Sequence, residues 1–153
     1  INFILSNRRS LNMKISKTIN APVEFVFNQI LDSSIYDIEK NTGQRPDLKF
    51  LNGYEYSKTF GKNQQGTIKI DEVVKASTYA FTTTTIRNTF NTRWNFQPVD
   101  TKLTEITIEE SRTSSGMIQK LNDMFVGTLL GHWKKRQMIA ILDHIERAYN
   151  GGK

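Results

Sequence analysis

Residues 114–149 read SSGMIQKLNDMFVGTLLGHWKKRQMIAILDHIERAY and decide the fold of this 153-residue chain. The stretch has no proline and is rich in residue types that favour helix. Ser114 or Ser115 suits the start of the helix, and Gly151 and Gly152 suit its end. At 1.5 Å per residue the helix spans roughly 50 Å, more than a small domain needs by itself. We therefore expect a second layer of structure to lie along it.

The region before this helix consists largely of short segments in which apolar and polar side chains alternate, the pattern of half-buried strands. The first is residues 14–20, KISKTIN, and four more follow, at 54–60, 67–75, 90–97 and 103–110. Residues 79–88 are rich in Thr, Phe and Ile, a composition that predicts a sixth strand. Consecutive strands joined by short turns pair antiparallel. The sequence thus predicts a curved antiparallel sheet of about six or seven strands, whose apolar and aromatic face the long helix covers.

Two short helices are predicted between the first strand and the others. Asn20 and Pro22 suit the start of the first helix, and residues 23–31 carry one apolar stripe. Residues 34–37 form a capping-box-like start for the second helix, which Gly43 would end. The whole is an α+β domain covering residues 13–150, preceded by an N-terminal extension, residues 1–12.

This order of elements, together with residues 15–39, resembles the helix-grip superfamily. That superfamily includes the START-type (SRPBCC) lipid-transfer domains, birch-pollen-allergen-like proteins and polyketide cyclases. Its usual opening is a strand that ends in Ile-x-Ala-Pro, followed by a helix with Glu, Val and an aromatic residue. The matching positions here are Ile19, Ala21, Pro22, Glu24, Val26 and Phe27. The resemblance extends over residues 13–149 and indicates an uncharacterised bacterial family. It implies a cavity between sheet and helix in which members bind lipids, sterols or aromatic polyketides, although fold alone does not define function.

Composition and spacing argue against several classes of site. The chain has no cysteine, which fits a reducing compartment, and we therefore expect a cytoplasmic protein. Its net charge of +6 favours solubility. No apolar run is long enough for a membrane span. His132 and His144 are about 18 Å apart on one helix, which is too far for a shared metal ion. We predict no cofactor, no metal and no nucleic-acid partner, and we interpret residues 134–136 (KKR) as a solvated turn of the helix.

The long helix has two apolar faces. We interpret the apolar face of the first half as the wall of a cavity. We interpret the apolar face of the second half as packed core; it consists of Met138, Ile141, Leu142, Ile145 and Tyr149. Together with the aromatic face of the sheet, the cavity wall gives the predicted ligand-binding set, which is Tyr54, Tyr56, Trp94, Phe96, Leu121, Met124, Phe125, Thr128 and His132. Close packing of both faces against the sheet is the alternative.

Three polar residues are candidates for acid–base chemistry. Glu72 and Glu110 have the parity of the apolar face of the sheet, and His132 lies on the apolar side of the helix. Buried carboxylates need partners or change their pKa. A cyclase or dehydratase type of enzyme would use these three as acid and base. The alternative is that both carboxylates lie at wet strand ends and that His132 is hydrogen-bonded.

A second stripe on the back of the long helix consists of Val126, Leu130 and Trp133. Large apolar side chains in water tend to find cover. We predict that the N-terminal extension or a second subunit in a homodimer covers this stripe. The preferred function is the binding or transport of a small hydrophobic or amphipathic ligand. The alternatives are the cyclase or dehydratase enzyme and a protein-interaction module.

Overall fold

The structure is a computed structural model that describes residues 10–60, 64–86, 88–114 and 117–151, with side chains for 13–60, 64–86, 88–113 and 134–151. One sheet and two long helices make up the described chain. Their order is β1 (Ser10–Ile19), α1 (Val23–Thr42), a 3-10 turn (Leu48–Phe50), β2 (Glu55–Phe60), β3 (Gln64–Val74), β4 (Thr78–Thr85), β5 (Asn88–Asp100), β6 (Leu103–Ser114) and α2 (Met117–Gly151).

The six strands form one antiparallel sheet in the order β1-β6-β5-β4-β3-β2. The α+β fold class and the antiparallel sheet predicted from the alternation are therefore confirmed. Strand β1 begins earlier than expected, because Ser10 already pairs with Arg112 of β6. Residues 10–12, which were predicted to belong to the N-terminal extension, thus form part of the sheet.

Helix α1 is continuous, so the prediction of two short helices is wrong. The segment around Ser33 and Ser34 is helical, and the Ser33 hydroxyl donates to the Gln29 carbonyl one turn earlier, at 3.0 Å. Ile35 and Ile38 are buried and continue the apolar stripe of the first half. The helix ends where Gly43 adopts a left-handed conformation, with φ of 74°.

The C-terminal part of α2 runs back along β6 and β1. Lys17 of β1 pairs with Asp143, and the backbone N–H of Asn20 donates to Glu146 at 2.6 Å. On the adjacent face of this segment, about 100° around the helix, Leu142 and Ile145 are buried in the core. Met138 and Tyr149 pack against that core as predicted. Ile141, which was predicted to belong to the same face, is 43% exposed.

Candidate functional site

The face of the sheet that meets the helices is defined by the pairing register. Directly paired residues of neighbouring strands point to the same face. The row Ile15–Ile108–Trp94–Tyr79 crosses four strands, and its members are all at most 5% exposed. We call the face that carries this row the inner face. The next row consists of Met13, Glu110, Thr92, Phe81 and Ile70, and the row after it includes Arg112, Phe90, Thr83, Ile68 and Tyr56.

One half of the inner face is a sealed core. Ile19, Thr104, Ile106 and Ile108 are fully buried there. Phe96 meets the ring of Phe27 of α1 edge-on, with ring centroids 5.4 Å apart. Trp94 and Phe96, which belong to the predicted ligand-binding set, are therefore built into this sealed part of the protein, next to the rows that follow.

At the border of the sealed core the inner face carries an ion pair. Glu110 is only 7% exposed, and it accepts a hydrogen bond from the Thr92 hydroxyl at 3.1 Å. Its other carboxylate oxygen lies 3.1 Å from the ammonium group of Lys134 on α2. The same ammonium group lies 4.1 Å from the centroid of the Phe90 ring. Glu110 thus lies on the inner face, as its parity predicts, and it is paired there.

This arrangement corrects the interpretation of residues 134–136. Lys135 and Arg136 are exposed, but Lys134 turns toward the sheet, where its side chain is 29% exposed. The reason is the charge of Glu110, since a carboxylate removed from water requires a cation or several hydrogen bonds. Beyond this pair, Phe81 and Phe90 are only partly buried among the described residues.

A second polar cluster links α1 to Tyr79 of the first row and to Tyr56 of the third row. Asp37 accepts hydrogen bonds from the Tyr56 hydroxyl at 2.6 Å and from the Lys58 ammonium at 2.7 Å. One turn earlier in the helix, Ser34 is hydrogen-bonded to the Tyr79 hydroxyl. Tyr54, also in the predicted ligand-binding set, is partly buried beside Tyr56, with ring centroids 6.3 Å apart.

Both buried phenols hold their protons firmly. Burial raises the pKa of Tyr56 well above its usual range, and the hydrogen bond to Asp37 and the charge of that carboxylate add to the rise. Burial likewise raises the pKa of Tyr79 to about 12, although its hydrogen bond with Ser34 acts in the opposite direction. At neutral pH the two side chains are therefore neutral hydroxyl groups and not phenolates.

Glu72 does not lie on the inner face, so the prediction from its parity is wrong. The register of β3 against β4 shifts between Ile70 and Glu72, and this bulge reverses the alternation. Glu72 consequently aligns with Ala80 and Arg93 on the outer face. Its carboxylate accepts from the Arg93 guanidinium at 2.7 Å, across the small side chain of Ala80. Glu72 and Glu110 therefore do not meet in one site.

The remaining predicted site residues lie on the N-terminal part of α2, whose side chains are outside the described residues. This applies to Leu121, Met124, Phe125, Thr128 and His132 of the predicted cavity wall. It applies equally to Val126, Leu130 and Trp133 of the predicted dimer stripe. Their assignments stay predictions.

Several polar members of the two clusters were not identified from the sequence. They are Ser34, Asp37, Lys58, Tyr79, Thr92 and Lys134. A signal for Ser34 was present: in one continuous helix it falls inside the apolar stripe, between Ile30 and Ile38. Dividing α1 into two helices at that point hid it.

The described residues show neither a metal cluster nor a membrane-spanning helix. Among them no group of three or more His, Asp or Glu is placed to hold a metal ion, and no helix is long and apolar enough to cross a membrane. A shallow, open hollow lies beside Pro22 and Pro98, at the end of the sheet remote from Glu110.

Comparison with solved structures identifies the fold. The allergen Ara h 8.0201 superposes with a TM-score of 0.58 at 14% identity, over 91% of this chain and 97% of its own. The Zhui aromatase/cyclase from Streptomyces sp. R1128 gives 0.55 at 11% identity, over 90% and 92%. A protein from Arthrobacter aurescens gives 0.57 at 16% identity, over 88% and 85%. At such identities the likeness concerns the fold alone.

The chain shares with these structures a six-stranded antiparallel sheet, a helix after the first strand and a long C-terminal helix. This arrangement is the helix-grip fold. The family follows from residues 13–131, which match the domain of unknown function DUF3284, and the chain belongs to that family. Comparison with curated proteins finds no match.

Proposed function

We propose that the protein binds a small hydrophobic or amphipathic molecule between the inner face of the sheet and the N-terminal part of α2. The observation that carries the proposal is the Glu110–Lys134 ion pair at the border between the sealed core and the partly buried rings of Phe81 and Phe90. Sites for small molecules are mostly apolar and contain a few polar groups in fixed positions, and this part of the inner face has that composition.

The described residues suggest how such a molecule would be oriented. Its apolar part would lie against Phe81 and Phe90. A carbonyl, hydroxyl or carboxylate group would approach the Lys134 ammonium, which has three donor hydrogens and gives one of them to Glu110 among the described residues. The Tyr56 and Tyr79 hydroxyls are hydrogen-bonded to Asp37 and Ser34. These two side chains would therefore contribute neutral aromatic surface to the adjoining wall of the site and no charge.

Native mass spectrometry of freshly purified protein tests the proposal directly. We expect a small molecule in stoichiometric amount, and its loss on denaturation. In a Trp133→Phe background, Trp94 is the single tryptophan, and its fluorescence should respond to fatty acids or to flat aromatic compounds. Phe90→Ala should weaken this response, whereas Arg93→Met on the outer face should leave it unchanged. The proposal would be contradicted if the measured mass were that of the protein without a ligand and if Trp94 fluorescence changed with neither ligand class.

The cyclase or dehydratase alternative loses one of its three residues, because Glu72 lies on the outer face. Of the other two, Glu110 is engaged through both carboxylate oxygens, by Thr92 and by Lys134. A paired carboxylate of this kind positions and neutralises charge, which suits ligand binding better than proton transfer.

A further inference from the structure

The short 3-10 turn between α1 and β2 exposes two large apolar side chains. Leu48 is 57% exposed and Phe50 is 70% exposed, although they are only two residues apart. Single exposed apolar residues are common in soluble proteins, but grouped ones mark contact surfaces. Val74, which is 45% exposed, belongs to the same region, because the neighbouring Val73 N–H donates to the side chain of Asn52 at 2.7 Å.

The exposure of the turn is fixed by hydrogen bonds on both sides. Before Phe50, the Asp47 carboxylate accepts from the Lys49 N–H at 3.1 Å, and the Asp47 carbonyl accepts from the Phe50 N–H at 3.0 Å. After Phe50, Leu51 is fully buried, and the Gly53 N–H donates to the Ile70 carbonyl at 2.7 Å. These hydrogen bonds fix the backbone of the turn, and in this conformation the Leu48 and Phe50 side chains point away from the core.

Cations outnumber carboxylates among the charged residues around this turn, with Arg45, Lys49 and Lys75 against Glu39 and Asp47. Lys49 lies between the two apolar side chains, and Lys75 follows Val74 directly; both are exposed. Arg45 is also exposed and makes one long ion pair with Glu39, at 3.6 Å. The acidic group of the turn itself is Asp47, which is engaged by the backbone. The whole chain has a net charge of +6, so its long-range field also attracts anionic surfaces.

We propose that the turn Leu48–Phe50, together with Val74 and Lys75, docks the protein on an anionic lipid surface. Leu48 and Phe50 enter the interfacial layer, and Lys49 and Lys75 remain at the level of the anionic head groups. A contact of this size gives weak, reversible binding that salt reduces. The inference is independent of the ligand site, since none of its residues belongs to either polar cluster of the inner face.

Co-sedimentation of the full chain with vesicles tests the inference. We expect binding to vesicles of phosphatidylcholine mixed with phosphatidylglycerol, weaker binding at high salt, and little binding to phosphatidylcholine alone. Phe50→Ser should lower the partition coefficient about tenfold, as expected for the lost transfer of one large apolar side chain. The matched control is Ile86→Ser, which removes an apolar side chain that is 90% exposed at the β4–β5 turn and should change nothing.

Three outcomes would overturn the inference. One is the absence of binding to the anionic vesicles at low salt. Another is an equal loss of binding in Phe50→Ser and Ile86→Ser. The third is a full chain that sediments as an oligomer and becomes monomeric in Phe50→Ser, which would make the turn a protein–protein interface. Circular dichroism of both variants checks that the fold is retained, and Leu48→Ser provides a second measurement if Phe50→Ser is unstable.

Discussion

Removal of the Lys134 ammonium tests whether the ion pair on the inner face is an integral part of the fold. In Lys134→Met, Glu110 keeps the Thr92 hydroxyl but loses its cation. The side chain of Glu110 is 9% exposed and that of Lys134 is 29% exposed, so the pair is neither fully buried nor exposed. Removing one partner of a fully buried pair costs about 3–5 kcal/mol, and exposed pairs contribute about 0–1 kcal/mol. We therefore expect a loss of about 2–3 kcal/mol in the free energy of unfolding.

The assay is urea unfolding monitored by circular dichroism, with two companion variants. Lys135→Met removes the neighbouring, exposed ammonium from the same helix and should change stability by less than about 0.5 kcal/mol. Glu110→Gln in the Lys134→Met background removes the unpaired charge and keeps an acceptor for Thr92, so it should restore most of the loss. Equal small effects of Lys134→Met and Lys135→Met, or no recovery in the double variant, would refute the reasoning.

Three further measurements address the rest of the fold. The pKa of Tyr79 is raised to about 12 and that of Tyr56 is also raised, so the free energy of unfolding should be unaffected by these groups below pH 10. Above pH 10 it should fall by about 1.4 kcal/mol per pH unit for each phenol. The double variant Tyr56→Phe and Tyr79→Phe should show a flatter decline in alkaline urea melts. Leu142→Ala should cost about 2–5 kcal/mol in urea melts because Leu142 is fully buried, whereas Ile141→Ala, on the exposed side, should cost clearly less; equal losses would mean that the helix face is wrongly assigned. Gly66→Ala should cost about 1–3 kcal/mol in thermal unfolding, since a methyl group there would meet a backbone carbonyl oxygen at 2.7 Å, and an unchanged melting temperature would contradict this.

The architecture was predictable because it depends on patterns that span many residues. Five strands alternate over long stretches, and antiparallel pairing then follows from the short turns between them. The boundary of α1 was less predictable, because Ser33 and Ser34 are residues that often start helices as well as occur within them. In α1 the burial of Ile35 and Ile38, a tertiary effect, decides for one helix.

Glu72 and Glu110 show why a site is harder to predict than a fold. Both have the parity of apolar neighbours in their own strand, yet they lie on opposite faces of the sheet. A single bulge in β3 makes the difference, and it depends on how β3 pairs with β4 rather than on the β3 sequence alone. Lys134 shows the same difficulty in a helix. Of the three consecutive cations at 134–136, it is the one that points toward the sheet, because it pairs with Glu110, which lies 24 residues away in the sequence.

The sealed and the polar parts of the inner face have different consequences for substitutions. In the sealed part, Ile108 contributes through apolar burial, as does Leu142 of α2 in the same core. Their truncation should therefore affect stability and leave ligand preference unaltered. At the border, Lys134 contributes both to the pairing of Glu110 and, in the proposed site, to the recognition of a polar group. Its removal should therefore alter stability and ligand preference together. Glu110→Gln in the same background should restore the first and not the second, because glutamine removes the unpaired charge without replacing the ammonium donor. The double variant thus separates the structural role of the ion pair from its role in binding.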